Sequence, residues 1–378
     1  PLAHAAPNPT LSDPTLSDLP PGARAMIPTL STLPALAAFV ALVAAAWGLN
    51  VAALDGGTAS LPWLIREQGL YLSGLLAIGL MSLAMVLATR PTVLERPLGG
   101  MDRIFRLHKW AGILAAVFAA LHWLIEMSDD VIKSLYGKAG KPAHDEFGGL
   151  YEMLRDAGEE LGEFAIYLVL AMVVLSLWKR FPYKFWRHLH RAMPVFYLLL
   201  AFHAAVLAPP DYWTQPVGVL LALLLAAGTV ASVIALTGRI GHDRKVQGVV
   251  TAVSSPAPDV TEIVCRLDGA WRGHQAGQFA FVGLERFEGS HPFTIASADH
   301  GDRSLTFQIK ALGDYTRQLA SRVAVGQAVT VEGPYGRFVL GRQDHKARQI
   351  WIAGGIGVTP FLAWLDALRA DPAAAQTV

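Results

Sequence analysis

The chain has 378 residues, of which 53% are hydrophobic and 16% are charged, a balance typical of a membrane protein. Its formal net charge is only +1 and it contains no basic stripe, so we expect no nucleic-acid partner. The single cysteine, Cys265, excludes an internal disulfide framework and a CxxC metal site, and its setting is typical of a small apolar strand residue.

Composition divides the chain into four consecutive parts. Residues 1–27 are rich in Pro, Ser and Ala and contain the imperfect repeat LSDPTLSD, which predicts a disordered tail. They lack the basic and apolar regions of a signal peptide. Residues 28–240 predict an all-α membrane bundle of six helices, residues 241–343 a small antiparallel β-barrel, and residues 344–378 the start of an α/β nucleotide-binding domain.

Six apolar segments are candidates for membrane spans, because a span needs about 20 apolar residues. They are residues 24–55, 68–89, 108–127, 163–178, 190–207 and 212–238.

Basic residues in the short loops predict the orientation, since Lys and Arg are enriched on the cytoplasmic side. They cluster between spans two and three, between spans four and five, and after span six: Arg90, Arg96, Arg103, Arg106 and Lys109; Lys179, Arg180, Lys184, Arg187 and Arg191; Arg239, Arg244 and Lys245. The loop between spans three and four is acidic. We therefore expect an integral protein of the bacterial inner (plasma) membrane, with both termini in the cytoplasm.

Two pairs of histidines lie inside the predicted spans. His108 and His122 belong to the third span, and His190 and His203 to the fifth. Ionisable side chains at membrane depth are costly and mark function by default. Because neutral imidazole is a standard axial ligand of haem iron, the pairs predict two haems, each held by one histidine from either span. The alternative is four satisfied core residues.

The spacing of the histidines predicts how far apart they lie along each span better than it predicts which face of the helix each side chain occupies. The interval from His108 to His122 rises roughly 21 Å along a helix and returns to nearly the same face. The shorter interval from His190 to His203 leaves these side chains roughly 140° apart on an ideal helix. His188 is better aligned with His203 on a straight helix, but Pro194 can kink the span, so spacing leaves His188 and His190 both open.

The region after the spans reads as short alternating strands with Gly, Pro, Asp and Ser turns. The segments VQGVVTAV, TEIVCRL, GQFAFVGL and SLTFQIKAL predict a small antiparallel barrel. The segment HPFTIAS, beginning at His291, is a candidate to face a flavin ring, and an ordinary strand is its alternative. Lys310, Gly313 and Thr316 lie at a strand-to-helix junction whose amides and charge suit a pyrophosphate.

The last segment, IWIAGGIGVTPFLAWLDAL, predicts an apolar strand, a glycine-rich turn and a helix. Gly354, Gly355 and Gly357 would allow the backbone to approach the phosphates of a dinucleotide. Thr359 and Pro360 would open the helix.

Taken in order, the motifs are the two histidine pairs, then HPFT, GDYT, GPYG and AGGIGVTP. Over about residues 70–378 the chain resembles the ferric reductase and NADPH oxidase superfamily. The resemblance implies a bis-haem membrane domain at residues 28–240, an FAD-binding barrel at 241–343 and a truncated NAD(P)H-binding α/β domain at 344–378. The implied cofactors are two haem b, FAD and NAD(P)H, with NADPH favoured.

The resemblance also implies individual site residues, and at span five it favours His190 over His188. The metal ligands would be His108, His122, His190 and His203. The cofactor-binding residues would be His291, Pro292, Phe293, Thr294, Ile295, Lys310, Gly313, Thr316, Gly354, Gly355, Gly357, Val358, Thr359 and Pro360.

The implied function is electron transfer from cytoplasmic NAD(P)H through FAD and two haems to an external acceptor, either a ferric species or O2. Superoxide-forming members of the superfamily tend to have a histidine one turn past the outer span-three ligand and a basic residue from span one. Here Glu126 takes the first place and span one is uncharged, which favours a ferric reductase over an NADPH oxidase. A haem-binding electron conduit fed by a partner is the alternative of another class; the sequence does not specify partner subunits.

Overall fold

A computed structural model describes residues 32–53, 60–142, 148–178, 183–285, 289–340 and 349–370. The predicted tail, residues 1–27, lies outside this description, as do Lys179 and Arg180.

The first part of the structure is a bundle of helices. They are α1 (Thr32–Ala52), α2 (Leu61–Ala88), α3 (Thr92–Leu98), α4 (Met101–Glu126), α5 (Asp129–Tyr136), α6 (Leu150–Leu177), α7 (Tyr183–His190), α8 (Met193–Leu207) and α9 (Pro216–Leu236). Helices α2, α8 and α9 each carry a proline in the first two positions, where its missing N–H has no helical partner to lose.

Five helical segments among the described residues are long and apolar enough to cross a bilayer. They are α1, α2, α4, α9 and Phe185–Leu207, which contains most of α7 and all of α8. Each overlaps a predicted span. The predicted fourth span, residues 163–178, lies in the C-terminal half of α6, which is not among the five. Several apolar helices are therefore confirmed, and the count of six spans stays a prediction.

The second part is an antiparallel sheet of six strands. They are β1 (Lys245–Ala257), β2 (Val260–Leu267), β3 (Phe279–Gly283), β4 (His291–Thr294), β5 (Ser304–Lys310) and β6 (Ala328–Tyr335), in the spatial order β4-β3-β6-β1-β2-β5. The predicted closed barrel is not confirmed, because the short edge strand β4 does not pair with β5. Between the two edges of the sheet, Ile295 after β4 and Phe307 of β5 form a single isolated antiparallel bridge.

The sheet encloses an apolar core of its own, which includes Ile263, Cys265, Ile295 and Phe307. Cys265 is fully buried on β2, so the sequence expectation for this residue is confirmed. Burial raises the pKa of its thiol to about 12.

The helical bundle and the sheet pack against each other through a shared apolar cluster. Leu87 near the end of α2 and Met101 and Ile104 at the start of α4 belong to the same cluster as Phe281 of β3 and Tyr335 of β6. The sheet is therefore held against one end of the bundle.

The predicted strand of the last segment is wrong within the described residues. Residues 350–353 form no strand, and Ile350 and Ile352 are 82% and 86% exposed, because no described segment lies beside them to pair. The glycine-rich turn and the helix are present as a 3₁₀ turn at Gly355–Val358 followed by α12 (Thr359–Ala370), which comes after the short helices α10 (Asp314–Arg317) and α11 (Leu319–Arg322).

Helix α12 is attached to the sheet part by side-chain hydrogen bonds. Trp364 Nε1 donates to the Ala276 carbonyl at 3.0 Å, and Ala298 N–H donates to Asp366 Oδ2 at 2.8 Å. Burial acts to raise the pKa of Asp366, but the Ala298 amide and the His300 ring outweigh it, and the pKa is lowered. The carboxylate therefore keeps its charge while it accepts these bonds.

Candidate functional site

The four histidines singled out in the sequence lie together in the structure as two pairs. The rings of His108 on α4 and His190 on α7 have centroids 6.1 Å apart, with an interplanar angle of 89°. The rings of His122 on α4 and His203 on α8 have centroids 6.3 Å apart, with an angle of 86°. Each pair joins one predicted ligand from either helix, at two different depths in the bundle.

Main-chain carbonyl groups orient three of these rings. The Nδ1 atoms of His108, His122 and His203 lie 2.9, 2.9 and 2.8 Å from the carbonyl oxygens of Ala84, Leu70 and Gly158. A ring that donates through Nδ1 keeps Nε2 unprotonated, which is the form that binds a metal. The neighbouring helices α2 and α6 thus set the tautomer of these ligands.

Two glycines make room for the outer pair. A Cβ at Gly162 would overlap the ring of His203, and a Cβ at Gly74 would lie 3.1 Å from Cε1 and Nδ1 of His122. The sequence analysis did not single out either glycine. The signal for them is weak, because glycines are common in apolar helices and only the structure shows which of them face a ring.

The separation of the paired rings fits one metal ion between two imidazoles. Two metal–nitrogen bonds of about 2 Å, extended by the half-width of each ring, place the centroids roughly 6 Å apart. Among the described residues, no group of three or more His, Cys, Asp or Glu side chains gathers to hold a metal. Each site therefore offers only two protein ligands, which suits an iron whose other ligands belong to a macrocycle.

The structure also explains the spacing that a straight helix could not. Helix α7 ends at His190 and α8 begins at Met193, so a break of two residues separates the two ligands of this segment. The ring of His190 stacks on Trp186 at 4.8 Å and faces His108, whereas His188 lies exposed on α7. The bend therefore precedes Pro194, and His190 is the residue that the fold pairs with His108.

A basic residue that the sequence analysis missed lies beyond the outer pair. Arg66 of α2 contacts Glu126 Oε2 at 3.1 Å and donates to the Glu126 carbonyl at 2.8 Å. Its side chain is 11% exposed and that of Glu126 is 60% exposed. Arg66 also lies 3.8 Å from Asp129. A largely buried positive charge thus lies beside the predicted acidic loop, one turn from the Leu70 carbonyl that holds His122.

The segment predicted to face a flavin forms the edge strand β4. Thr294 and Pro292 pair with Phe279 and Phe281 of β3. The ring of His291 stacks on Tyr315 of α10, with centroids 4.1 Å apart. Phe293 is half-buried beside this stack. Ile295, which follows the strand, is fully buried in the core of the sheet, so only its backbone is available to a ligand.

The predicted phosphate residues meet at the junction of β5 and α10. Thr316 Oγ1 accepts hydrogen bonds from the N–H groups of Leu312 and Gly313 at 2.9 and 3.0 Å. Two of the backbone amides predicted to bind phosphate therefore already have an acceptor in the Thr316 side chain. Lys310 Nζ lies 3.1 Å from Asp259 Oδ2. The positive charge predicted for this site is therefore shared with a neighbouring carboxylate.

The glycine-rich turn before α12 is open. A Cβ at Gly354, Gly355 or Gly357 would meet no atom within 4 Å, and Gly355 has a φ of +54°. Val358 is partly exposed, and Pro360 follows Thr359, which is buried and donates to the Ile356 carbonyl at 2.7 Å. The turn has the space that a dinucleotide phosphate would need.

The inner histidine pair lies close to the sheet. Phe105, one helical turn before His108, packs edge-to-face on Phe281 with ring centroids 6.2 Å apart. Arg191, next to His190, approaches Gly289 just before β4; a Cβ there would lie 3.1 Å from Nη2. The predicted flavin segment and the inner pair are thus neighbours across the boundary between bundle and sheet.

Two family models match the chain, one in each part. The model described as "Ferric reductase like transmembrane component" matches residues 73–201, which include His108, His122 and His190, and ends just before His203. The model described as "FAD-binding domain" matches residues 249–339, which include most of the sheet.

Individual relatives match parts of the chain. Respiratory burst oxidase homolog protein E of Arabidopsis thaliana is 26% identical over 51% of this chain and 22% of its own length. NADPH oxidase 3 of Homo sapiens is 37% identical over 23% of this chain and 17% of its length. The phenol 2-monooxygenase reductase component DmpP of Pseudomonas is 29% identical over 34% of this chain and 37% of its length. The chain thus spans between 17% and 37% of the length of these relatives.

Among solved structures, the ferredoxin reductase of carbazole 1,9a-dioxygenase is 24% identical. The match covers 34% of this chain and 39% of the reductase chain, with a TM-score of 0.29. A flavohemoglobin from Malassezia yamatoensis covers 83% of this chain and 74% of its own, at 16% identity and a TM-score of 0.38. These scores are too low to support a structural argument.

Proposed function

Because this chain belongs to the ferric reductase and NADPH oxidase superfamily, we propose that it carries electrons from cytoplasmic NAD(P)H through FAD and two b-type haems to an external acceptor. It is an integral membrane oxidoreductase with an FAD-binding domain. The observation that carries the proposal is the pairing of four histidines at two depths, with the inner pair beside the predicted flavin segment.

In this proposal the chain supplies axial ligands and their orientation. His108 and His190 would hold the inner haem, and His122 and His203 the outer haem. Haem iron accepts and releases single electrons, which is the chemistry needed for transfer across a bilayer. The carbonyl groups that accept from Nδ1 of His108, His122 and His203 hold three of the four rings, so little rearrangement of these ligands would accompany each change of charge.

The sheet would hold FAD, and the turn before α12 would hold the nicotinamide dinucleotide. The flavin ring would lie along β4, next to Thr294, with its phosphates near Lys310, Gly313 and Thr316. The open turn at Gly354, Gly355 and Gly357 would receive the dinucleotide phosphates. The electrons would pass from the dinucleotide at this turn to the flavin at β4, and from the flavin to the inner pair.

For the acceptor we propose a ferric species in preference to O2. Glu126 is 60% exposed one turn beyond His122 and, together with Asp129 and Asp130, would attract cations. The opposing observations are Lys141 and Lys133, which lie 2.8 and 3.8 Å from these two aspartates, and Arg66, whose largely buried charge partly compensates Glu126. Arg66 supports the second candidate, a superoxide-generating NADPH oxidase, because a cation beside the outer pair would stabilise an anionic product.

The direct test is the cofactor content of the purified chain. We expect about two haems per chain with a low-spin bis-histidine spectrum, and one bound FAD. Replacing His122 or His203 by Ala should remove the same outer haem and leave the inner one, whereas replacing His188, the matched control on α7, should leave both. Retention of both haems in the His122 and His203 variants would contradict the assignment.

A further inference from the structure

A buried ion pair joins the helical bundle to the sheet. Glu332 of β6 is 1% exposed, and Arg90, which follows α2, places Nη1 2.9 Å from Glu332 Oε1. The hydroxyl of Tyr335 donates to the same oxygen at 2.7 Å. A carboxylate removed from water is stable only with charged partners and hydrogen bonds. Glu332 has two such partners: Arg90 from the other part of the molecule and Lys245 of β1, whose Nζ lies 3.9 Å from Oε2.

The backbone of Arg90 is held in an unfavourable conformation at this position. Its φ is +59°, in the left-handed region that residues other than glycine seldom adopt. Its guanidinium group also lies over the ring of Phe281, 4.3 Å from the centroid. The side chain thus makes two favourable contacts with the sheet that offset the cost of its backbone.

Two further hydrogen bonds cross or border the same boundary. Glu95 of α3 accepts the Gly336 N–H at 2.7 Å, and Arg244 donates to the Pro334 carbonyl at 2.8 Å. We call the set formed by Arg90, Glu95, Phe105, Phe281, Glu332 and Tyr335 the docking patch.

The docking patch contacts both electron-transfer sites. On the sheet, Phe281 pairs with Glu332 on one side and with Pro292 of the predicted flavin segment on the other. On the bundle, Arg90 lies just after α2, whose Ala84 carbonyl accepts from His108. The same few residues therefore connect the flavin segment to a ligand of the inner pair through one strand and one helix end.

We propose that the ion pair of Arg90 and Glu332 is a positioning device that sets the separation between the flavin and the inner haem, and with it the rate of electron transfer between them. This inference rests on the proposed function. It assigns no chemical step to either residue, because both act by holding β3 and β4 against the ends of α2 and α4.

Variants at both ends of the ion pair test this role. Arg90→Gly removes the guanidinium while accommodating the left-handed backbone, so the fold of the loop is preserved. Arg90→Lys keeps the charge without the planar fork, and Glu332→Gln keeps the shape and the hydrogen bond from Tyr335. The control is Arg322→Ala, which breaks the Arg322–Glu285 ion pair elsewhere in the sheet part.

The rate of haem reduction is measured in the absence of oxygen after photoreduction of FAD in the purified full chain. We expect Arg90→Gly to slow haem reduction several-fold, since the rate of electron tunnelling falls exponentially with the distance between the flavin and the haem that the fold positions. Arg90→Lys should restore part of the rate. Glu332→Gln should give a rate between those of Arg90→Gly and the unmodified chain, and Arg322→Ala should give the rate of the unmodified chain.

A distance measurement supplies a second readout that does not depend on electron transfer. Val93 of α3 and Val325 near β6 are 79% and 65% exposed, and the native Cys265 is buried, so spin labels would attach to cysteines introduced at these two positions. The label-to-label distance distribution should be narrow in the unmodified background and broaden in Arg90→Gly.

The outcomes separate the two proposals. Absence of haem or FAD from the unmodified chain would refute the proposed function. Bound cofactors together with an unchanged rate and an unchanged distance distribution in Arg90→Gly would overturn the positioning role alone. If Arg90→Gly were not obtained in folded form, the same comparison for Glu332→Gln would decide the question.

Discussion

Replacing Gly162 by Ala should displace the outer ligand His203 without weakening the helix. The added Cβ would lie 3.4 Å from Nε2 of His203 and closer still to Cε1 and Nδ1. Carbon contacts are favourable at about 3.5–4.0 Å, so the ring must move by roughly 1 Å. That movement would also stretch the 2.8 Å contact between Nδ1 and the Gly158 carbonyl, one turn earlier on α6.

The expected size of the effect follows from the loss of ligand orientation. Disturbing the groups that orient a metal ligand costs about 10–100-fold in metal affinity, which corresponds to about 1.4–2.8 kcal/mol. Alanine is favoured over glycine in a helix interior by about 1 kcal/mol, so α6 itself should not be destabilised. The loss should therefore appear in the outer haem alone.

The assay is haem content per chain together with a redox titration that resolves the two haems. Gly48→Ala on α1 is the matched control, because a Cβ at Gly48 would meet nothing within 4 Å and α1 carries none of the proposed ligands. We expect Gly162→Ala to lose the outer haem while Gly48→Ala keeps both. Two haems with unchanged midpoints in Gly162→Ala would refute the reasoning.

Three further predictions follow from the sites. Lys310→Glu should weaken FAD binding, measured by flavin fluorescence titration, because it reverses a charge beside the predicted phosphates; unchanged affinity would place the phosphates elsewhere. Glu126→His should shift electron flow from a neutral or cationic ferric chelate toward superoxide, measured in the same membranes as ferrous formation and superoxide-dismutase-sensitive cytochrome c reduction; an unchanged ratio would argue against a role for Glu126. Cys265 should resist iodoacetamide at pH 8 and react after unfolding, since its pKa is raised to about 12 and the thiolate is scarce well below that pH.

The helical bundle and the histidine pairs were predictable because their signals are local and rare. A run of about 20 residues without charge is strong evidence of a span, and an ionisable residue such as His122 inside one stands out. Spacing alone could not decide whether His188 or His190 pairs with His108. The break between α7 and α8, which resolves it, depends on tertiary packing that no local pattern encodes.

Features that depend on distant partners could not be predicted. Arg66 and Glu126 meet from different helices, and neither has a local pattern that points to the other. Ile350 and Ile352 have the composition of a strand, but a strand also needs a hydrogen-bonded neighbour. Closure of the predicted barrel likewise depends on how far the edge strand β4 extends, which its sequence does not determine.

The different support of the four imidazoles has a consequence for the energetics of the proposed electron path. Both outer rings rest on main-chain carbonyl groups, whereas His190 at the inner site is supported by a stack on Trp186. Hydrogen bonding through Nδ1 makes an imidazole more basic and stabilises the oxidised metal that it binds. With iron bound as proposed, this ligand asymmetry would lower the reduction potential of the outer site relative to the inner one. The outer site would then give up its electron to an acceptor more readily, while the step from the inner to the outer site would become less favourable by the same amount.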